Sequence, residues 1–332
     1  MQLAELLARK PVLLADGATG TNLFEMGLMS GDPPEIWNLE HPDRILALHQ
    51  SFVDAGADII LTNSFGGNSR RLALHKLDGR VKELNALAAR NARQVADGAG
   101  RPVIVAGSVG PTGDLFAPLG PLTEAAAVEI FVEQIEGLKE GGADVIWIET
   151  MSAAEEMRAA AIAATRVGMP YTVTASFDTA GKTMMGIAPA IMPEFAGELA
   201  PGPVAVGANC GVGASDLLVS VMAMAAANPD AIIIAKANAG IPQFHGDHIH
   251  YSGTPELMGN YARLAMDAGA RIIGGCCGTS PEHLAAMRQA IDTHTPGARP
   301  DMAKVVDVIG PLVAPPKAAG EDANRRAGRR RG

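Results

Sequence analysis

Short apolar or β-branched runs recur along the chain, and each is followed by a longer stretch whose apolar positions repeat at helical spacing. The runs predict strands at Val12 to Ala15, Ile59 to Thr62, Val103 to Gly107, Val145 to Glu149, Thr172 to Ser176, Ala205 to Asn209, Ile232 to Lys236 and Arg271 to Gly275. Between them, amphipathic helices are predicted at Arg44 to Ala55, Val81 to Ala96, Glu124 to Glu140, Ala153 to Val167 and Pro255 to Ala268. Several of these open on a cap-type residue and close on glycine, and Ser152 with Glu155 has the form of a capping box. Alternation of strand and helix to the end of the chain, with no linker dividing it, predicts an α/β fold: a single (β/α)8 TIM barrel. A doubly wound open sheet is the rival. In a barrel the chemistry sits at the carboxy-terminal ends of the strands.

Composition narrows the partners. The 332 residues carry a formal net charge of -9, which disfavours nucleic acid and anionic membranes and leaves small molecules. No apolar run reaches the roughly 18 residues of a membrane span, and the apolar stretch at the amino terminus is short for a secretory signal, so a cytoplasmic address is expected. A homo-oligomer stays open. The barrel is expected over residues 1–296 and a carboxy-terminal extension over 297–332. From about residue 317 that extension, with its five arginines and little apolar content, reads as disordered. Three cysteines, two adjacent, do not make a disulfide framework; thiols kept for metal or catalysis fit better.

Unusual residues fall at three strand ends: DGATGT after the first, NCG after the sixth, GGCCGT after the eighth. Cys276 and Cys277 cannot both point inward from a regular strand, but the flanking glycines permit irregular backbone there. With Cys210 at another strand end, three thiolates could hold a borderline metal and leave a fourth position free, the arrangement of a catalytic zinc site. Spacing leaves other readings open: a phosphate cradle after the last strand, or inert or redox cysteines.

The motifs DGATGT, HPDRILALHQSFVDAGADIILTNSFGGN, GSVGPTG, IETM, GANCG, KANAGIP and GGCCGTSPEH resemble, in order and at similar intervals, the homocysteine S-methyltransferase family over roughly residues 10 to 295. Within it, DGATGTNLF, ETM and HIHYSGTPELM are most similar to the bacterial betaine–homocysteine enzymes. The resemblance implies a zinc cofactor held by Cys210, Cys276 and Cys277. It also implies a homocysteine site at Asp16, Gly17, Thr19 and Glu149, and methyl transfer to the homocysteine sulfur. A carboxylate suits the substrate ammonium, and the N–H groups of a glycine turn suit its carboxylate.

The donor expected from the resemblance is glycine betaine, whose quaternary ammonium calls for aromatic faces. Trp37, Phe65, Phe244 and Tyr251 are the candidate walls, with Tyr171 a further one. The chain departs from the animal betaine enzymes at two positions: Gly66 follows Phe65, and Thr150 follows Glu149, where their pattern has tyrosine. Sulfonium donors, or methylfolate through a corrinoid on further domains, are the alternatives. His245, His248 and His250 read as a polar loop over the site mouth. Outside the enzyme class stands a thiol redox sensor or zinc-binding protein with a Cys276–Cys277 disulfide. A phosphate-binding barrel would have Lys236 as its candidate Schiff-base lysine.

Overall fold

The computed structural model describes residues 1–245 and 248–315; of residues 242–250 it describes the backbone elements only. Eight parallel strands form the central sheet: β1 (Leu13–Leu14), β2 (Ile59–Leu61), β3 (Ile104–Val109), β4 (Val145–Met151), β5 (Tyr171–Ala175), β6 (Ala205–Cys210), β7 (Ile233–Ala237) and, after an antiparallel pair β8 (Pro242–His245) and β9 (His248–Tyr251), β10 (Ala270–Gly275). Around the sheet β1 pairs with β10, which pairs with β7, and the order then runs down to β2. The ring closes because Ala15 bridges Ile59 in parallel and the Asp58 N–H donates to Leu14 O at 2.7 Å. The expected barrel, and not the open sheet, is what the chain forms.

Strand alternation sorts the residues. Outward positions such as Leu14, Ile60, Val105, Ile148, Val173 and Ile273 bury themselves under the surrounding helices. Inward positions Leu13, Ile59, Ile104, Val145, Trp147, Ala205, Ile234 and Ile272 fill the barrel, and the helix Leu3–Arg9 closes its amino-terminal mouth with Leu3, Leu6 and Leu7. Each such apolar side chain contributes about 2 kcal/mol by burial. Further along three of these strands the inward face turns polar: Ser108 follows Ala106, Glu149 follows Trp147, and Lys236 follows Ile234. Polarity is thus concentrated at the carboxy-terminal end.

The helices follow from their capping chemistry. Thr123 caps Glu124–Glu140 by accepting from the Ala126 N–H, and Thr254 caps Pro255–Ala268 by accepting from Leu257. Ala154–Val167 ends on Gly168 in the left-handed region. The expected Ser152 capping box is not formed. β4 runs on to Met151 and the helix begins only at Ala154, so the cap residue is Ala153, without a side-chain bond, and Ser152 is one residue too early to cap it.

The segment after residue 296 lies on the barrel as far as 315. Its helix Met302–Ile309 buries Val305, and Asp216 accepts from the Val313 and Ala314 N–H groups, each at 2.9 Å. The stretch expected to be disordered from about 317 lies outside the described residues. Among the described residues, no helix is long and apolar enough to cross a membrane.

Candidate metal and amino acid site

Strands β6 and β10 deliver the three thiols. Cys210 ends β6 with φ of 61°, and the Gly211 that follows is also left-handed, so the chain turns sharply and leaves the Cys210 thiol at the rim. Beyond β10, Cys276 donates its N–H to Ala237 O at 2.6 Å, and the Cys277 N–H donates to Asn238 Oδ1 at 3.1 Å. The continuation of β7 thereby fixes both neighbours. The Cys210 and Cys277 sulfurs stand 4.0 Å apart, and all three sulfurs lie within 4.8 Å of one another. Sulfurs 2.3 Å from one tetrahedral metal would be separated by about 3.8 Å, so the set fits such an ion with a small inward adjustment. An all-thiolate donor set suits zinc among the common divalent ions.

Thiol neighbours and burial together raise all three thiol pKa values above the ordinary one. The Cys276 contact is the largest influence on Cys210, driving its pKa upward, and the Cys210 contact is the largest on Cys277, which is pushed up to about 12. Cys276 is also raised; the Cys210 hydrogen bond favours its thiolate, but Cys277 and burial prevail.

Two features that the sequence reading missed support these ligands. Asn209, 1% exposed, trades hydrogen bonds with Thr150: its Oδ1 accepts from the Thr150 N–H at 2.8 Å, and its Nδ2 donates to Thr150 Oγ1 at 2.7 Å and approaches Cys276 Sγ at 4.0 Å. The β1 turn is stapled to the β10 loop by Asn22, whose Nδ2 donates to Ala18 O and Thr279 O, and by Thr21 Oγ1, which accepts from the Gly278 N–H. Gly17 lies in this seam, where a Cβ would come within 2.6 Å of Thr279 O. Thr19 is the first residue of the helix Thr19–Glu25 just beyond.

Inside the barrel stand the two expected carboxylates and one lysine. Asp16 and Lys236 form a buried ion pair, Oδ1 to Nζ 2.7 Å, and Asp16 Oδ2 accepts from the Leu61 N–H at 2.6 Å. Glu149 accepts from Ser108 Oγ at 2.5 Å through Oε1. Burial raises both carboxyl pKa values against the opposing pull of Lys236. Burial works against the Lys236 charge too, but Asp16 and Glu149 outweigh it and hold the ammonium above its ordinary pKa. A Schiff-base lysine needs a free amine, whereas the Lys236 amine is engaged by Asp16, which counts against that reading.

The aromatic candidates disperse. Phe65, 40% exposed, lies over Gly110 at the end of β3, where a Cβ would meet its ring at 2.6 Å. Tyr251 lies against Gly278, next to the Cys277 position, where a Cβ on the glycine would meet its ring. Trp37 is buried, edge-on to His41 with Arg44 over its ring at 4.8 Å, and lines an outer cleft of about 520 Å³ whose walls include none of the thiols. Its face already receives a cation. Tyr171 begins β5, at the amino-terminal end of the barrel, and its hydroxyl donates to Pro201 O at 2.7 Å; it is not part of the site. The side chains of Phe244, His245, His248 and His250 lie outside the described residues. Gly66 has its own reason: its N–H donates to Glu35 Oε1 at 2.6 Å, and a Cβ there would meet that oxygen at 2.9 Å.

A family model described as homocysteine S-methyltransferase matches residues 13–291. Methionine synthase of Mycobacterium tuberculosis is 30% identical over 302 residues, 84% of this chain and 24% of the relative. That of Mycobacterium leprae is 29% identical over 320 residues, 90% and 26% of the two chains. The chain thus spans about a quarter of the length of the curated relatives it matches. Among solved structures, the homocysteine methyltransferase MmuM from Escherichia coli in its oxidized form superposes with a TM-score of 0.73 at 24% identity, covering 86% of this chain and 97% of that one. Its metallated form gives 0.71, again at 24% identity, covering 86% and 98%. The likeness to these structures is one of fold.

Proposed function

The chain belongs to the homocysteine S-methyltransferase family, and on that premise we propose that it moves a methyl group from glycine betaine to the sulfur of homocysteine, giving methionine and dimethylglycine, with zinc held by Cys210, Cys276 and Cys277. The observation that carries this reading is the gathering of three sulfurs within 4.8 Å at the catalytic end of a barrel. Zinc bound there would lower the pKa of a substrate thiol in its fourth position, supplying a thiolate at neutral pH. The rest is the work of the chain. Glu149 presents a carboxylate to the substrate ammonium, while the turn from Gly17 to Thr19 meets the substrate carboxylate. Asn209 and Asn238 hold the cysteine-bearing loops in place. Phe65 and Tyr251 offer aromatic faces to the donor cation.

The transfer is a direct displacement. The homocysteine sulfur forms a bond to the donor methyl carbon as the carbon–nitrogen bond breaks, and the electron pair stays on nitrogen. No proton is needed by the leaving amine, so no general acid is required. Catalysis then rests largely on holding two substrates in line, worth several kcal/mol when the reacting atoms are prepositioned.

A second reading keeps the acceptor and changes the donor to a sulfonium such as S-methylmethionine or dimethylsulfoniopropionate. Trp37 lines an outer cleft away from the thiols, which removes one support for betaine, although a sulfonium is a cation as well. Zinc content and methionine formation, measured with the three donors at equal concentration, decide between the readings. Preference for betaine with one zinc per chain supports the first, and preference for a sulfonium supports the second. Absence of both zinc and methionine overturns the acceptor chemistry itself.

A further inference from the structure

The Asp16–Lys236 pair is deep inside the barrel, at 1% and 2% exposure, and it is built for rather than incidental. Lys236 also donates to Asp16 O at 3.3 Å, and its Nζ lies 5.9 Å from the centre of the Trp147 ring. Its stem passes Gly274, where a Cβ would come within 3.1 Å of Lys236 Cγ and 2.9 Å of Ala15 Cβ, so the glycine makes room for it. A buried ion pair is a poor way to gain stability, because desolvation of both charges offsets their attraction. Its consequence for the site is one of charge. Lys236 takes one Asp16 oxygen, the Leu61 N–H takes the other, and the surrounding protein covers both. Glu149 is different: Ser108 engages Oε1, and among the described residues no donor reaches Oε2.

We propose that Lys236 is a specificity-determining positioning residue, which withdraws Asp16 from the substrate and leaves Glu149 as the single carboxylate offered to the ammonium of an amino acid thiol. The inference rests on the homocysteine reading above. It assigns Asp16 a role at one remove: the aspartate anchors the lysine, and the anchored lysine stays off Glu149. An unanchored Lys236 would compete with the substrate ammonium for the same carboxylate.

The signature is a reversal between variants. In Asp16→Asn the lysine is released, and the KM and calorimetric Kd for homocysteine rise at least about tenfold. Removing the lysine as well, in Asp16→Asn/Lys236→Met, returns both constants to within about threefold of wild type by the same logic. The thiol 4-mercaptobutanoate, which lacks the amino group, shows little change in KM in either variant. In Glu149→Gln, homocysteine loses its advantage over this thiol. A purely structural role would instead move kcat, the melting temperature and both thiols together. Were Asp16 the direct ammonium anchor, the double variant would bind homocysteine as poorly as Asp16→Asn, and the proposal would be overturned. Wild-type zinc-loaded protein is measured first. If it does not bind homocysteine, the acceptor reading fails and this inference with it; if it binds but the double variant shows no recovery, this inference alone fails.

Discussion

Asn209 and Thr150 clasp one another across the barrel mouth through two hydrogen bonds of 2.7 and 2.8 Å, one residue before the first thiol and one after the Glu149 carboxylate. Thr174 Oγ1 adds a third bond, to Asn209 Oδ1 at 2.7 Å. The amide therefore couples the three thiols to the segment that carries Glu149. Thr150 stands at φ of 61°, a backbone strain the clasp helps to sustain. Substituting Asn209→Leu keeps the volume and removes every one of these bonds. Loss of such outer partners costs about 10–100-fold in metal affinity. A chelator competition assay checks this; a change under threefold would mean that the clasp does not hold the ligands.

Cys210 is also strained, with its φ of 61° in a region where a side chain costs about 1–2 kcal/mol. Replacement by glycine and by alanine should separate ligand from backbone. Both variants lose stoichiometric metal and methyl transfer. In the metal-free state, however, Cys210→Gly should be more resistant to urea than Cys210→Ala by about 1 kcal/mol, because only glycine occupies that conformation freely. Equal midpoints for the two variants would show that the strain is absent in solution.

The sequence made the barrel legible because each strand is a short apolar run between helical segments. The eight predicted strands all occur, with ends moved by no more than two residues, as at β3, expected from Val103 to Gly107 and found at Ile104–Val109. Cys210, Cys276 and Cys277 were readable because glycines flank them at strand ends. Partnerships were harder to read. Asp16 and Lys236 are 220 residues apart, and only the barrel's closure makes them neighbours. Lys236 looked like a strand-end charge because inward or outward direction depends on strand phase. Trp37 illustrates the reverse: its place after the first strand suggested the site, but a local helix, Trp37–Glu40, turns it against His41 and Arg44. Tyr171, offered as a further cage wall, instead begins its strand at the other end of the barrel.

Tyr251, at the end of β9, packs on the loop after β10, and its ring leaves no room for a side chain at Gly278, where a Cβ would come within 2.2 Å of Tyr251 Cγ and the φ is 77°. Gly278→Ala must therefore displace the tyrosine. Ring and hydroxyl can be told apart by two further variants. Tyr251→Phe keeps the aromatic face, so the donor KM should stay within about threefold. Tyr251→Ala and Gly278→Ala should raise the donor KM about tenfold, the scale of one desolvated cation–π contact. If Tyr251→Phe raises it as much as Tyr251→Ala, the ring is not the donor wall.

His49 makes the stability of the fold depend on pH. It lies on the buried face of the helix Pro42–Asp54, 1% exposed, and neither ring nitrogen has a partner among the described residues. Burial lowers its pKa from 6.5 to about 4. Because the folded value is the lower one, the unfolded chain binds the extra proton as the pH falls. Stability is full above 6.5, declines between 6.5 and about 4, and levels off below. The whole decline is worth about 3 kcal/mol, of which about 2 is lost by pH 5. Urea unfolding of the metal-free protein at pH 7 and pH 5 should show this loss on top of that from other groups, and His49→Leu should remove it. Equal pH sensitivity in the wild type and His49→Leu would mean that the imidazole finds its proton, and a partner for it, inside the folded protein.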